Sequence, residues 1–214
     1  MNTRVFNLLS KYECIMGESG QHGQLTVNAF RELNEMMKVE FECFASPLNW
    51  QTNYFCSAFN DCDHWFGSQG SFFDFLPGQA GSFEVNPPFM IHGSAVEDHL
   101  QYIFQQCNNE FALSFVFVSP SPHFMDKAVR NHWLLSRTAN LVRMKIVLAK
   151  SRHYYYKGNQ HELRKADAEK IMATHDSTIY IFQNNLGYAT YNFCHTNRAE
   201  FVQRIRKSFG EEEG

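Results

Sequence analysis

The run "ALSFVFVSP" at 112–120 constrains this chain more than any other segment. It is apolar at successive positions rather than alternate ones, so both of its faces must be covered. A strand covered on both faces belongs inside a largely parallel sheet with helices on each side. "LVRMKIVLA" (141–149) and "STIYIFQ" (177–183) read as two further strands, close together late in the chain. "KVEFECFA" (38–45) alternates, with Val39, Phe41 and Cys43 on one side, and reads as an earlier strand. In "TVNAFRELNEMM" (26–37), Val27, Phe30, Leu33, Met36 and Met37 recur at helical spacing behind a capping Thr26. "SAVEDHLQYIFQQC" (94–107) places Val96, Leu100, Ile103 and Phe104 on one helical face, with Ser94 as its cap. "RAEFVQRIRKSF" (198–209) is a last amphipathic helix. "TNYFCSAF" (52–59) is expected to be a helix and "FFDFL" (72–76) a short strand. The expected class is therefore α/β, a mainly parallel central sheet with an antiparallel end.

At 214 residues, one domain is expected, with 1–24 as an N-terminal extension and 211–214 as an acidic tail. Hydrophobic residues at 44% and charged residues at 19% exclude a disordered chain. No apolar run approaches the roughly 20 residues of a membrane span, and the N-terminus lacks a secretory signal's apolar core. Six cysteines, at 14, 43, 56, 62, 107 and 194, form no Cys-x-x-Cys pair. Free thiols in a reducing, intracellular compartment are expected.

A net charge of −3 does not announce a nucleic-acid binder, but its distribution does more. Residues 127–170 hold 11 Lys and Arg against three acids, Glu162, Asp167 and Glu169. Within them "RHYYYKGNQH" interleaves aromatics with cations such as Lys157, a pattern that suits a nucleic-acid backbone with a stacking surface. It also suits a solvated face. Tyr154, Tyr155 and Tyr156 read equally as core on one side and as RNA platform on the other.

The strand candidate "GSFEV" runs into Asn86-Pro87-Pro88-Phe89. Ligands of open α/β sheets bind at the carboxyl edge, where such a turn would stand. Two prolines lack N–H donors and stiffen the backbone, leaving carbonyls exposed. An amino group on a base has two hydrogens to place, and the Asn86 side-chain oxygen and the Pro87 carbonyl can accept them. Phe89 offers a face for stacking, worth roughly 1–3 kcal/mol. That geometry suits in-line methyl transfer to an exocyclic amine, a reaction limited mainly by orientation.

A cofactor turn is expected in "FECFASPLN" (41–49), where Ala45, Ser46 and Pro47 replace the usual glycines. Glu42 reads equally as a solvent-facing strand residue. "FGSQG" (66–70) is a second small-residue loop, and Asp61, Asp63 and Asp74 are candidate acceptors, although each also reads as a loop or cap residue. Cys56, Cys62, Asp63 and His64 fit no standard zinc spacing, so no metal is expected. His175 and Asp176 read as a strand-entry turn rather than an acid–base pair.

Together "FECFASPLN", the "FCSAF-D-D-FGS-G" spacing, "GSFE-NPPF" and "H-Y--G-QH" (153–161) resemble the phosphorylated-CTD-interacting-factor family of cap-specific adenosine N6-methyltransferases. "LSFVFV" and "FQN--G-A" (182–189) resemble its later strands, and the likeness runs from about 25 to 207. The resemblance implies a Rossmann-like class I methyltransferase that uses S-adenosyl-L-methionine and methylates the (2'-O-methyl)adenosine beside the mRNA cap. It implies Asn86, Pro87, Pro88 and Phe89 as catalytic residues. Phe44 to Asn49 match the family's strand-turn, and order in the fold places Glu42, Phe44, Ala45, Ser46, Pro47, Asn49, Asp63, Asp74 and Asn86 around the cofactor; His153, Tyr155, Gly158, Gln160 and His161 match a later family segment, expected with Phe89 and Lys157 near the RNA. Only about 40 residues precede the first sheet strand, too few for the WW and helical domains of the family's long forms, and "SPSPHFM" (119–125) departs from the family pattern. A partner subunit supplying cap recognition is expected, in the nucleus of a eukaryote or the cytoplasm for a viral protein. The rival readings are N6 methylation of DNA or of internal RNA adenosine, and a catalytically silent RNA- or protein-binding module.

Overall fold

The computed structural model describes residues 2–16, 23–88, 91, 93–107, 110–120, 139–157, 170–191 and 198–211. The strands are β1 (Gly23–Gln24), β2 (Val39–Glu42), β3 (Tyr54–Phe55), β4 (Gly81–Val85), β5 (Leu113–Pro120), β6 (Val142–Leu148), β7 (Tyr154–Lys157), β8 (Lys170–Met172) and β9 (Ser177–Gln183). The helices are α1 (Asn2–Lys11), α2 (Val27–Met37), α3 (Asn60–Asp63), α4 (Gly93–Gln106), α5 (Asn185–Thr190) and α6 (Arg198–Ser208).

Among the described residues the main sheet runs β3-β2-β4-β5-β9-β6. From β3 to β5 all neighbours are parallel, and β9 lies antiparallel between β5 and β6. This is the α/β class expected from the pattern, with the antiparallel strand late in the chain. The alternation along β5 explains its continuous apolar run. Phe115 and Phe117 join the core beneath Val96, Leu100 and Ile103 of α4. Val116 and Val118 face the opposite core with α2 and α6, which contribute Leu33, Met37, Phe201 and Ile205. Thr26 caps α2 as expected, its hydroxyl accepting from Ala29 N at 2.9 Å. The same hydroxyl donates to the Ser208 carbonyl at 2.7 Å, so one threonine joins the start of α2 to the end of α6.

Two expected elements differ. Residues 52–59 are not helical: Tyr54 and Phe55 form β3 on the edge of β2, with Tyr54 exposed and Phe55 buried. The chain there is held by pairing, with Cys56 N donating to the Glu42 carbonyl. Nor is "FFDFL" a strand. Ser71 caps a 3₁₀ turn at Phe72–Asp74, its hydroxyl accepting from Phe73 N. Helix α4 starts at Gly93, one residue before Ser94. Most N-terminal residues are exposed, but Leu8 is buried and Lys11 pairs with Asp61 at 2.5 Å. Glu211, the first residue of the expected tail, accepts from Ala149 N at 3.3 Å and pairs with Arg206 at 3.5 Å.

The "FQN--G-A" pattern has a packing cause. The Asn184 side-chain oxygen caps α5 by accepting from Gly187 N at 2.7 Å and also accepts from Leu113 N at 3.1 Å. A Cβ on Gly187 would lie 2.0 Å from the Leu113 carbonyl oxygen, which is backbone and cannot rotate away. Gly187→Ala is therefore expected to destabilise the fold by about 3 kcal/mol, the upper range for core overpacking. Denaturant unfolding checks it; a loss below about 1 kcal/mol would mean the contact relaxes freely.

Candidate active site

The chain leaves β2, forms β3 on one side, then returns to place β4 on the other side of β2. That reversal makes a topological switch point, and ligands of open α/β sheets bind where the loops after two such strands, here β2 and β4, diverge at the carboxyl edge. The loop after β4 begins with Asn86-Pro87-Pro88, as the motif requires.

Asn86 is half-buried, and its amide is arranged asymmetrically. Nδ2 donates to the Gly23 carbonyl of β1 at 2.7 Å. Oδ1 is buried and has no partner among the described residues. Because a carbonyl can only accept, this contact fixes which end of the amide is nitrogen. An orphaned buried acceptor costs stability, about 1–3 kcal/mol, and such atoms call for a functional account. Pro87 is buried, and the Pro88 carbonyl accepts from Ile91 N at 2.8 Å, closing the turn. Phe89 lies outside the described residues.

The loop after β2 is a preformed turn. Asn49 Oδ1 accepts from Ser46 N at 2.8 Å and from the Ser46 hydroxyl at 2.9 Å. Ala45 N donates to the Cys56 carbonyl at 2.9 Å. Ala45 and Pro47 are partly exposed beside this turn. Phe44 packs on Phe72 and Phe73, with ring centroids at 4.9 and 6.0 Å, and His99 of α4 abuts Phe72 at 4.8 Å. Burial lowers the His99 pKa, which favours a neutral ring in this aromatic wall.

Several expected site residues have other work. Glu42 is buried rather than solvent-facing, and its Oε1 accepts from Gln51 N, Thr52 N and the Thr52 hydroxyl at 2.5, 2.8 and 3.1 Å. It anchors the far end of the loop. Asp63 is wholly buried and not open to a ribose or methionine group. It accepts from Tyr12 Oη at 2.7 Å, Phe59 N at 3.1 Å and Cys62 Sγ at 3.2 Å. Burial and this carboxylate push the Tyr12 hydroxyl far above its ordinary value. Asp74 stands exposed on the 3₁₀ turn.

His153 and Tyr155 do not contact RNA from where they stand. His153 is fully buried, with Nδ1 against the Ala149 carbonyl at 2.7 Å and Nε2 against the Ser177 hydroxyl at 2.8 Å. Tyr155 is buried too, donating to Ser177 at 2.7 Å, and burial moves its hydroxyl up to about 12. The tyrosine run does split by strand parity: Tyr154 and Tyr156 are partly exposed on the opposite side. Lys157 is placed directly across from Gly23 in the small sheet β1-β7-β8, next to the Asn86 anchor. Gln160 and His161, with Gly158, lie outside the described residues. Within the basic segment, Arg143 is held by the Gln183 carbonyl and Asn185, and Lys170 stands 4.4 Å over the Tyr154 ring. Asp176 accepts from Lys150 N at 2.8 Å in the turn before β9.

Sequence reasoning missed three residues. Gly23 and Gln24 carry no motif signal, yet Gln24 Nε2 donates to the Asn49 carbonyl at 2.5 Å while Gly23 holds Asn86. Glu84 pairs in register with Glu42, shares the Asn86 face of β4, and is fully buried with Oε1 unpartnered among the described residues. An acid inside the apolar run "GSFEV" was its visible signal.

A family profile described as "Phosphorylated CTD interacting factor 1 WW domain" matches residues 1–158. The chain belongs to this family. The matched residues include β2, β4 and β5 and the loops after β2 and β4. A human protein named mRNA (2'-O-methyladenosine-N(6)-)-methyltransferase is 33% identical over 202 residues, covering 88% of this chain and 27% of that protein. A mouse protein of the same name is 34% identical over 202 residues, covering 88% of this chain and 26% of its own length. The chain thus spans about a quarter of the curated relatives it matches.

Proposed function

We propose that this family member is an S-adenosyl-L-methionine-dependent adenine-N6 methyltransferase with a Rossmann-like class I fold, acting on RNA. Its target is the (2'-O-methyl)adenosine beside the mRNA cap, with a partner subunit supplying cap recognition in an intracellular setting. The names of the human and mouse relatives support the reaction. The switch-point sheet order supports the fold.

One observation carries the reading: the buried, unpartnered Asn86 Oδ1 at the carboxyl end of β4. It is an acceptor without a donor, and an adenine amino group brings two. The Pro87 carbonyl is the second acceptor, on a residue whose ring removes its own N–H. With both hydrogens held, the nitrogen lone pair is left free. As that nitrogen gains positive charge, both oxygens bind its hydrogens more strongly, so the contacts favour the transition state over the ground state. The basic groups needed for deprotonation are not required at that stage.

The small-residue turn fits the cofactor. Phe44, Ala45, Ser46, Pro47 and Asn49 form a prefolded ledge beside Asn86, with partly exposed apolar surface and no competing charge at 44–49. When bound there, S-adenosyl-L-methionine supplies a methyl group activated on a sulfonium. Lys157 stands at the RNA-facing edge in this scheme.

The test offers labelled cofactor with capped RNA beginning in 2'-O-methyladenosine, the same RNA uncapped, internal adenosine RNA and single-stranded DNA. Label is expected at N6 of the cap-adjacent adenosine, identified by nucleoside mass spectrometry. Label on DNA or internal adenosine instead would redirect the substrate. No transfer to any of the four would end the enzymatic reading.

A further inference from the structure

We infer that Gly23 is a positioning residue for Asn86, and that β1 is the strut that aligns the methyl-acceptor turn with the loop after β2. The inference rests on the methyl-transfer reading and extends it to a segment outside the motif. Three contacts from one short stretch reach both loops: Gly23 O takes Asn86 Nδ2, Gln24 Nε2 takes Asn49 O, and Leu25 O takes Gln51 Nε2 at 3.1 Å.

Without Gly23, the Asn86 amide could turn over, presenting N–H donors to an amine that needs acceptors. With the Gly23 carbonyl 2.7 Å away, the flipped amide would set oxygen against oxygen. The strand therefore holds the amide in one orientation, with Oδ1 as its unpartnered end. Gly23 in turn has little room. A Cβ there would lie 3.1 Å from both Cβ and Cγ of Tyr155, closer than ordinary contact. Tyr155 is itself fixed through the Ser177 hydroxyl, which also meets His153. The buried residues of the "H-Y" segment thus support the catalytic turn from behind, through β1.

Asn86→Asp separates orientation from simple acceptor chemistry, because it keeps acceptors but has no N–H for Gly23. Asn86→Asp is expected to lose as much kcat as Asn86→Ala, about 100- to 1,000-fold, the scale for one preorganised polar contact. Gly23→Ala is expected to lower kcat about tenfold, since sub-ångström misplacement of a reacting group is costly. Its KM for RNA, its cofactor affinity by calorimetry and its melting temperature should stay near wild type. In the Asn86→Asp background, Gly23→Ala should add nothing, because the two act through one contact.

Asn86→Asp within threefold of wild type would overturn the inference, as would Gly23→Ala with unchanged kcat or with an undiminished effect in the Asp background. A readout independent of turnover is hydrogen exchange of the Asn86 side-chain amide by ¹⁵N NMR. Slowed exchange is expected in the wild type, and exchange at the free-amide rate would also overturn it. A chain that transfers no methyl group but keeps the slowed amide would fail the functional reading alone.

Discussion

Asn86→Ala is expected to lower kcat for methyl transfer by about 100- to 1,000-fold, the range seen when one preorganised contact to a developing charge is removed. Cofactor affinity should be nearly unchanged, because the β2 loop is closed by its own Ser46–Asn49 contacts. Stability separates this variant from an ordinary core lesion. The substitution loses the Nδ2–Gly23 hydrogen bond, worth about 1 kcal/mol, but it also removes a buried acceptor that has no partner. The two effects oppose each other, so the melting temperature should stay level or rise. A variant that loses activity and several kcal/mol of stability together would show Asn86 to be structural. A variant with wild-type kcat would remove the acceptor role altogether.

The second large effect is on stability and is read through pH. Glu84 is fully buried beside Glu42, and burial, then the Glu42 charge, hold its carboxyl well above the usual range. Cys43 and Tyr155 are its other titratable neighbours, and both are also raised by burial. Above roughly pH 4.3, the ordinary glutamate value, the unfolded chain releases this proton while the folded chain keeps it. The native state then binds more protons, so stability falls as pH rises, by about 1.4 kcal/mol per unit, up to the raised folded value. Glu84→Gln keeps the shape of the neutral acid and has no proton to lose. The variant should match wild type near pH 4 and become progressively more stable toward neutral pH. Thermal and denaturant unfolding at pH 4, 5.5 and 7 measures the gap. A gap that does not grow with pH would mean Glu84 is ionised in the fold.

The two carboxylates also clarify how the site is built. Glu42 is satisfied by the N–H groups of 51–52, whereas Glu84 has an unpartnered oxygen two residues before the unpartnered oxygen of Asn86. One face of β4 and the residue after it thus carry buried polar groups. Its other face, with Phe83 and Val85, is ordinary apolar core. The fold tolerates unsatisfied acceptors along one row at the switch point.

The apolar run of β5 and the helical spacing of α2, α4 and α6 were legible because period and burial there agree. Each element hides a face that its own sequence marks. The Asn-Pro-Pro turn was legible for a related reason: proline constrains the backbone locally, whatever surrounds it. Residues 52–59 and 72–76 were not legible. Tyr54–Phe55 is a strand only because β2 offers an edge, and Ser71 turns an aromatic cluster into a 3₁₀ cap.

The site residues divide in the same way. Asn86 could be singled out from its neighbours in the chain, because the stiffness that two prolines impose on the turn is local. His153 and Tyr155 could not, since an aromatic among cations looks alike on a surface and in a core. Their burial follows from β9, whose Ser177 lies more than 20 positions away in sequence. Gly23 is the extreme case, a glycine with no pattern around it whose carbonyl sets the orientation of Asn86 across 63 positions. Sequence alone determined the layers, the strand that needs two covered faces, and the proline turn after β4. Tertiary structure alone decided which polar groups are satisfied and which acceptor is left unpartnered, because hydrogen-bond partners are chosen by proximity in space and not by order along the chain.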